Sequence, residues 1–299
     1  MYNGIFSALV TPFLSDSLKI DYDSLKNLIN YQVENSISGL VVCGSTGEAA
    51  TLSRDEYLEV LQFVKDTVKS KKVNNSFKLI AGVGSNNTAF GVEIAKEVNK
   101  IMYDAYLVVA PPYNKPTQEG IYQHIKSIKI ASDADIIAYN VPGRTVSNIL
   151  PQTVKRLAQD KIIVGLKEAS GNFSQLNDVL SLCRDEIDVL LGEDAFIFPS
   201  LSIGAKGGIS VVSNVFPKEM MDIYKLSLDC SDLNKAKELH FKLLPFIHLL
   251  FSESNPIPVK YALYKKGIIN SYEVRLPLTK ATKETQEKID NFLNNIDNI

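Results

Sequence analysis

The stretch Ile162-Ile-Val-Gly-Leu-Lys167-Glu-Ala-Ser170 joins an aliphatic run to a lysine. A run this apolar predicts a β-strand that is buried on both faces, as in a parallel sheet. Lys167 stands where the predicted strand ends. Burial disfavours the charged form of an amine and lowers its pKa, and a neutral amine can attack a ketone to form a Schiff base. Taken alone, Lys167 is more simply explained as a residue at which a strand meets solvent. Residues elsewhere in the chain are needed to choose between this explanation and a Schiff-base lysine.

Short aliphatic runs of the same kind recur along the whole chain, and stretches with helical spacing lie between them. Ser53-Arg-Asp-Glu56 forms a capping box, and Thr117, Pro151 and Pro217 stand where helices are expected to begin. Eight strand–helix alternations predict an eight-stranded parallel (β/α) barrel of the TIM type. A doubly wound open sheet is the alternative, although no Gly-x-Gly-x-x-Gly turn follows the first run. The eight runs are Ile5–Val10, Gly39–Cys43, Lys78–Val83, Ala105–Ala110, Asp135–Asn140, Ile162–Lys167, Asp188–Gly192 and Gly207–Val212.

The pattern changes near residue 230, where helical spacing continues without further strands. The sequence therefore predicts a barrel domain over residues 1–230 and a helical C-terminal extension over residues 231–299. The predicted helices of this extension span Asp232–Phe251, Asn255–Lys266 and Thr279–Asn294, and Pro245 is expected to kink or end the first of them. Because no low-complexity linker separates the two parts, we do not expect the extension to fold independently.

The charge balance limits the possible partners. The 299 residues include 34 acidic and 32 basic side chains, for a net charge of −2. This balance gives no reason to expect binding to nucleic acid or to an acidic membrane surface. Residues 1–7 lack the basic and apolar regions of a signal peptide, and no apolar run is long enough to span a bilayer, so a cytoplasmic protein is expected.

Cysteine and histidine are sparse and scattered. An odd number of widely spaced cysteines suits reduced thiols rather than a disulfide framework. Two of the histidines lie eight residues apart in a helical stretch, where packing is a simpler explanation than metal binding. We therefore expect neither a metal site nor a cofactor. These residues are Cys43, Cys183, Cys230, His124, His240 and His248.

Active sites of (β/α) barrels lie at the carboxyl ends of the strands, so the residues that follow each run are the candidates. After the second run, Gly44-Ser-Thr-Gly-Glu48 places two hydroxyls between glycines, and free N–H groups of the following helix could complete a cradle for a carboxylate. A simple turn with a helix cap explains the same residues. Small residues after the seventh and eighth runs let the backbone approach a ligand closely. The other candidates at this rim are Tyr113, Tyr139, Arg144, Lys167 and Gly192.

The combination of one lysine, two tyrosines, two hydroxyls and one arginine suits a Schiff-base aldolase. Lys167 would condense with a 2-keto acid, and Ser45 and Thr46 would hold its carboxylate. Tyr139 would move protons, and because a phenol has an ordinary pKa near 10, it would need a chain of hydroxyls such as Ser45 and Tyr113.

These residues resemble the dihydrodipicolinate synthase and N-acetylneuraminate lyase superfamily of pyruvate-dependent class I aldolases, and the resemblance runs over essentially the whole chain. It implies that Lys167 forms the Schiff base, Tyr139 is the central acid and base, and Ser45 is its relay partner. It also implies that Tyr113 acts from a neighbouring subunit and that Thr46 holds the pyruvate carboxylate. The motifs are Gly44–Glu48, Tyr113-Asn-Lys-Pro116, Tyr139-Asn-Val-Pro-Gly-Arg-Thr145, Gly165-Leu-Lys-Glu-Ala-Ser170 and Ser254-Asn-Pro-Ile-Pro-Val-Lys260.

Arg144 separates the branches of this superfamily. In the synthase branch an arginine at this position binds the carboxylate of aspartate semialdehyde, whereas sialic acid lyases lack it. The resemblance therefore implies condensation of pyruvate with L-aspartate 4-semialdehyde to 4-hydroxy-tetrahydrodipicolinate, the first committed step of the diaminopimelate route to lysine. It also implies that Gly192 lies at the substrate site and that Ile209 lines the pyruvate pocket through its backbone.

The sequence departs from the synthase pattern in two places. The relay hydroxyl is usually threonine and here is Ser45, which keeps the hydroxyl but has one methyl fewer to fix its rotamer. In lysine-regulated relatives an acidic side chain stands at the position of Phe90, a tyrosine at Pro112 and a histidine at Tyr57. Loss of the carboxylate that would pair with an amino group predicts weak or absent inhibition by lysine.

Two other functions fit the same residues. One is an N-acetylneuraminate lyase or another pyruvate-dependent 2-keto acid aldolase, and the other is a catalytically inactive barrel that serves as a sensor or structural partner. Because relatives are mostly homotetramers built from tight dimers, a tetramer is expected, and a dimer would suffice for the role of Tyr113.

Overall fold

The structure is a computed structural model that describes residues 1–71, 73–74, 76–228 and 232–296. Within these residues, eight strands form a closed barrel in chain order, and neighbouring strands run parallel. This confirms the predicted barrel and excludes the open sheet. The strands β1 to β8 are Gly4–Ala8, Gly39–Val42, Lys78–Gly82, Ala105–Val109, Asp135–Asn140, Gly165–Glu168, Asp188–Leu191 and Gly207–Ser210.

Helices alternate with these strands and continue after the last of them. The capping box at Ser53 is present with both of its hydrogen bonds, and the Thr117 side chain accepts a hydrogen bond from the Gly120 N–H at 3.2 Å, as the sequence predicts. The helices α1 to α12 are Tyr22–Glu34, Arg54–Lys69, Thr88–Ile101, Gln118–Ser132, Pro142–Thr145, Pro151–Gln159, Phe173–Cys183, Asp194–Leu201, Pro217–Leu228, Leu233–Leu250, Ile257–Lys265 and Lys283–Asn295.

The chain packs as two compact units. The first unit contains Met1–Gly4 and Lys78–Ile209, and the second contains Ile5–Phe77 and Ser210–Ile299. The boundary predicted between barrel and extension, at residues 230 and 231, lies outside the described residues, as does Cys230. Cys43 and Cys183 are free and buried.

In the first unit, strand register places the central residues of the site. Leu107 pairs with Ile137 between β4 and β5, and Tyr139 pairs with Lys167 between β5 and β6. Directly paired residues of neighbouring strands point to the same face of a sheet, so Tyr139 and Lys167 share a face.

In the second unit, the C-terminal helices pack against one another around aromatic rings. Helix α10 contacts α9, α11 and α12. The ring of Phe246 lies 5.1 Å from that of Phe216 and stacks at 4.8 Å on that of Phe292, measured between centroids. Burial of such large apolar rings supplies the main attraction between these helices.

Two elements can be compared with the sequence prediction at the positions where they were expected to end. Helix α10 runs through Pro245, so of the predicted kink or end the structure excludes the end. Proline removes one backbone N–H, and the carbonyl four residues earlier loses that partner. That carbonyl belongs to Phe241, which is 59% exposed, so water can replace the lost donor. Strand β6 begins at Gly165 rather than Ile162 and ends at Glu168, so Lys167 is its penultimate residue and not its last.

None of the described helices combines the length and the apolar character needed to cross a bilayer.

Candidate active site

Lys167 is buried inside the first unit, with only 6% of the residue exposed. Its Nζ lies over the ring of Tyr139, 4.4 Å from the ring centroid. The two residues are direct partners on β5 and β6, so the strand register itself fixes this contact. The arrangement puts an amine and a phenol side by side in a site that excludes most water.

The surroundings of Lys167 favour the neutral amine. Burial is the largest cause and lowers the pKa of Lys167 to about 8, because a buried ammonium has lost its hydration. The positive charge of Arg144 lowers the pKa further, whereas the buried carboxylate of Asp194 raises it and partly compensates. A larger fraction of this amine is therefore neutral near pH 8 than is the case for an ordinary lysine.

Gly192 leaves space that the lysine side chain uses. A Cβ at this position would lie 2.6 Å from Cε of Lys167 and 2.7 Å from Cβ of Ala169. Both distances are shorter than any tolerated contact, so a side chain here would displace Lys167. The Lys167 side chain is thus a group that approaches the Gly192 backbone closely.

The residue after Lys167 holds the end of β6 in place. Because side chains alternate along a strand, Glu168 faces away from Lys167. Its carboxylate accepts hydrogen bonds from the Ser170 N–H at 2.7 Å and from the Asn140 side chain at 3.1 Å and 3.3 Å. Gln175 donates to the same carboxylate at 3.2 Å. These bonds tie the ends of β5 and β6 together on the side opposite the amine.

Arg144 and Tyr113 lie on loops of the first unit. Arg144 is exposed in the one-turn helix α5 and is close enough to Lys167 to influence its pKa. Tyr113 is 86% exposed and has a left-handed backbone with φ 73°, and its N–H donates to the Thr145 carbonyl at 3.1 Å. The backbone of Tyr113 is therefore held in place while its phenol projects into solvent.

Ile209 is fully buried in strand β8. The preceding glycines allow tight backbone packing there. Gly207 has φ 142°, and a Cβ on it would lie 1.9 Å from the Gly4 carbonyl oxygen, while a Cβ on Gly208 would meet Ile197 at 2.4 Å. The small residues predicted near this rim are thus required by protein packing.

In the second unit, the loop Gly44–Glu48, which we call the β2 loop, follows strand β2. Ser45 is exposed, whereas Thr46 is 5% exposed. After the loop, a short 3₁₀ turn spans Ala49–Thr51, and α2 begins at Arg54, next to the capping box predicted at Ser53.

Three N–H groups at the end of the β2 loop and the start of the 3₁₀ turn are already in use. The N–H groups of Gly47 and Ala49 donate to the Gly44 carbonyl at 3.1 Å and 3.3 Å, and that of Glu48 donates to the Ser45 carbonyl at 3.1 Å. The loop is too tightly turned for these three donors to face a ligand. These three amides are therefore not the donors that a ligand of the β2 loop would meet.

Several residues that interact with the candidate site residues could not be identified from the sequence. Asp194 is buried and acts on the charge of Lys167. Asn255 donates from Nδ2 to the Thr46 hydroxyl at 2.8 Å, and Lys260 forms a buried ion pair with Glu48. The motif Ser254–Lys260 had drawn attention only through resemblance, because contacts across more than 200 residues leave no local pattern.

Among the described residues, no three His, Cys, Asp or Glu side chains are grouped so that they could hold a metal ion.

The fold and the site together define a (β/α) barrel with a buried lysine on its sixth strand. Residues 1–296 match the family described as the dihydrodipicolinate synthetase family. The chain belongs to this family.

Curated relatives agree with that assignment. The 4-hydroxy-tetrahydrodipicolinate synthase of Syntrophus aciditrophicus is 44% identical over 295 residues, which cover 99% of this chain and 98% of the relative. The enzyme of the same name from Thermodesulfovibrio yellowstonii is 43% identical over 293 residues, which cover 98% of each chain.

Solved structures resemble the chain over its full length. A dihydrodipicolinate synthase from Thermotoga maritima is 40% identical, with a TM-score of 0.93 and 99% of each chain covered. A second similar structure is that of a monomeric dihydrodipicolinate synthase variant, which is 40% identical with a TM-score of 0.93. The match covers 99% of this chain and 97% of the variant's chain.

Proposed function

We propose that the chain condenses pyruvate with L-aspartate 4-semialdehyde through a Schiff base on Lys167, giving 4-hydroxy-tetrahydrodipicolinate. This is the first committed step of the diaminopimelate route to lysine. The observation that carries the proposal is the buried Lys167 amine beside Tyr139, with a pKa lowered to about 8. Relatives that share the family and nearly the whole length bear the name of this synthase.

The chemistry begins with attack of the neutral Lys167 amine on the keto carbon of pyruvate. Loss of water gives an imine, and loss of a proton from the methyl carbon gives an enamine that attacks the aldehyde. The amino group of the aldehyde substrate then attacks the imine carbon, which closes the ring and releases Lys167 as the leaving amine. Protons must move at each of these steps. Tyr139 is the proposed acid and base because its ring lies against the Lys167 Nζ, and Ser45 and Tyr113 are its proposed relay partners.

Binding groups complete the proposal. Thr46 holds the pyruvate carboxylate, and Ile209 and Gly192 contact pyruvate through the backbone. Arg144 binds the carboxylate of the aldehyde, because a guanidinium offers two parallel hydrogen bonds to a carboxylate. Its exposed position on α5 suits a group that receives the second substrate after the imine has formed.

An N-acetylneuraminate lyase or another 2-keto acid aldolase is the second candidate, and it is less favoured. Arg144 suits a carboxylate better than a sugar, and the relatives above are named as synthases. A condensation assay with pyruvate and either aspartate semialdehyde or N-acetylmannosamine separates the two. Turnover with pyruvate and N-acetylmannosamine, but not with pyruvate and aspartate semialdehyde, would contradict the synthase assignment.

Replacing Arg144 by alanine is expected to lower kcat/KM for the aldehyde by about 10- to 100-fold, the usual effect of losing a charged hydrogen bond. Imine formation with pyruvate should remain within a few-fold of wild type, since the arginine binds only the second substrate and affects the pKa of Lys167 less than burial does. Arg144→Lys is the matched control: it keeps the charge but loses the two-pronged geometry, so an intermediate value is expected. Unchanged aldehyde turnover in Arg144→Ala would remove the arginine from the site.

We also propose that the chain forms a homotetramer built from dimers, or at least a dimer, in which Tyr113 completes the relay of the neighbouring subunit. The exposed phenol on a fixed backbone supports this role. Mixing the inactive variants Tyr113→Phe and Lys167→Ala under subunit exchange should then restore activity, because one site of each hybrid holds both native residues. If Tyr113 acted within its own chain, no hybrid site would be complete and activity would stay at the level of the parents.

Residues 1–230 are proposed as the catalytic barrel and residues 231–299 as its helical extension. This division is supported by the positions of β8 and of α10 to α12 in the chain. We place the reaction in the cytoplasm, since buried free thiols at Cys43 and Cys183 suit a reducing compartment. Cell fractionation with an antibody to the protein tests the location.

A further inference from the structure

The β2 loop is held from a distant part of the chain. Asn255 lies just before helix α11, and its Nδ2 donates a hydrogen bond to the Thr46 Oγ1 at 2.8 Å. Both residues are buried, with 6% of Asn255 and 5% of Thr46 exposed. Water cannot compete for this buried bond. The direction of the bond therefore decides whether the Thr46 hydroxyl can donate its hydrogen to another group.

A second contact fixes the same two segments. Lys260, on α11, pairs with Glu48, and both side chains are essentially inaccessible. Lys260 also donates to the Glu273 carbonyl at 2.8 Å, and the Arg275 N–H donates to the second carboxylate oxygen of Glu48 at 3.0 Å. Because Glu48 is two residues from Thr46, this pair sets the position of the loop, while Asn255 acts on the hydroxyl itself.

Hydroxyl chemistry gives the Asn255 bond a specific consequence. A threonine hydroxyl has one hydrogen to donate and two lone pairs that can accept. The amide N–H of Asn255 occupies one lone pair, so the single hydrogen of Thr46 stays available for another acceptor. A carboxylate accepts hydrogen bonds and cannot donate them, so a hydroxyl oriented in this way is prepared for it.

We propose that Asn255 is a positioning residue for substrate binding: it directs the Thr46 hydroxyl as a donor to the carboxylate of the 2-oxo acid. The inference rests on the proposed function, in which Thr46 holds that carboxylate. Lys260 and Glu48 act less directly, because their ion pair holds the β2 loop next to Asn255. The segment Asn255–Lys260 is thus a support for the substrate site.

Asn255→Asp tests the direction of the bond with little change in shape. A carboxylate at this position only accepts, so the Thr46 hydroxyl would turn its hydrogen toward it. The concentration of pyruvate needed for half-maximal imine formation, measured by borohydride trapping, should rise by about 10- to 100-fold, as expected for loss of a hydrogen bond to a charged group. The KM for the aldehyde should change little.

A double variant separates this effect from charge repulsion or misfolding. In a Thr46→Val background the hydroxyl is gone, so Asn255→Asp should raise the pyruvate requirement only slightly further. The same large factor in that background would show that the new carboxylate acts directly on pyruvate or on the fold, and it would overturn the proposal.

The claim stays testable if Asn255→Asp does not fold. Thr46→Val alone should then weaken pyruvate binding by a similar factor. Equal pyruvate dependence in Thr46→Val and wild type would overturn the proposal.

Failure of the inference and failure of the proposed function give different results. If the wild-type protein forms no adduct with pyruvate, the proposed function is wrong. If wild type forms the adduct and Asn255→Asp shows the same pyruvate dependence, only the positioning role of Asn255 is wrong.

Discussion

Replacing Lys167 by methionine is expected to reduce condensation by roughly 10⁴-fold or more, the scale of losing a covalent nucleophile. No other described side chain places an amine against the Tyr139 ring at 4.4 Å, so the covalent route has no substitute. In the wild-type protein, the rate of imine formation at saturating pyruvate should rise through about pH 8, because the pKa of Lys167 is lowered to about 8. Stopped-flow or quenched trapping with borohydride between pH 6 and pH 10 measures both effects.

The same substitution should make the protein more stable at pH 7. Below pH 8 Lys167 is charged in both the folded and the unfolded chain, and folding must then bury an ammonium group. With a folded pKa of about 8 against an ordinary 10.5, this burial lowers the free energy of unfolding by on the order of 3 kcal/mol. Between pH 8 and 10.5 the unfolded chain binds more protons, so wild-type stability rises with pH in this window. The advantage of Lys167→Met should therefore be largest below pH 8 and shrink toward pH 10.5.

Lys167→Arg is the matched control. It keeps a charge at the site and offers no neutral amine, so it should be inactive without the gain in stability. Urea denaturation at pH 7 and pH 9.5 measures the free energies of unfolding of all three proteins. Equal stability of Lys167→Met and wild type at both pH values would contradict burial of a charged lysine.

Replacing Lys260 by methionine is expected to destabilise the protein by about 3–5 kcal/mol, the usual effect of removing one partner of a buried ion pair. The side chains of Lys260 and Glu48 are 0% and 1% exposed, so the remaining carboxylate would be left in a site that water does not reach. The Arg275 N–H still donates to it, but a neutral amide does not compensate for the missing cation. Urea denaturation of the variant and the wild-type protein, analysed with one common m-value, measures the change in the free energy of unfolding.

A double replacement shows whether the loss comes from the stranded charge. Glu48→Gln combined with Lys260→Met removes both charges and should recover most of the lost stability. Lys288→Met is the matched surface control, since the pair of Lys288 and Glu284 on α12 is exposed and should change stability little. A Lys260→Met protein as stable as Lys288→Met would contradict the buried ion pair.

Periodicity predicted most of the fold because the barrel repeats one local unit. The eight aliphatic runs, the capping box at Ser53 and the proline at the start of α6 each depend on a few neighbouring residues. Exact ends depend on more distant contacts: the strand predicted from Ile162 begins at Gly165, since Ile162 and Ile163 are buried but donate their N–H groups to the Leu157 carbonyl and not to a neighbouring strand. Helix α10 passes through Pro245 because solvent can satisfy the carbonyl that loses its partner.

The candidate site likewise contains some residues that the sequence predicts and others that it does not. Lys167, Tyr139 and Arg144 could be predicted because strand ends in a barrel meet at one rim, and the register of β5 and β6 confirms the first two as neighbours. The partners Asn255 and Lys260 could not be predicted, since they are separated by 209 and 212 residues from the side chains that they bind. Local patterns also give no sign that the N–H groups of Gly47, Glu48 and Ala49 are used within the tight turn of the β2 loop.

The central claim is that Lys167 is the covalent anchor for pyruvate. Incubation of the wild-type protein with pyruvate and borohydride, followed by proteolysis and peptide mass spectrometry, tests it directly. Lys260 provides an internal comparison, because it is also fully buried and burial also lowers its pKa. We predict a single reduced pyruvate adduct at Lys167 and none at Lys260. An adduct at Lys260 or at another lysine, or no adduct at all, would contradict the claim.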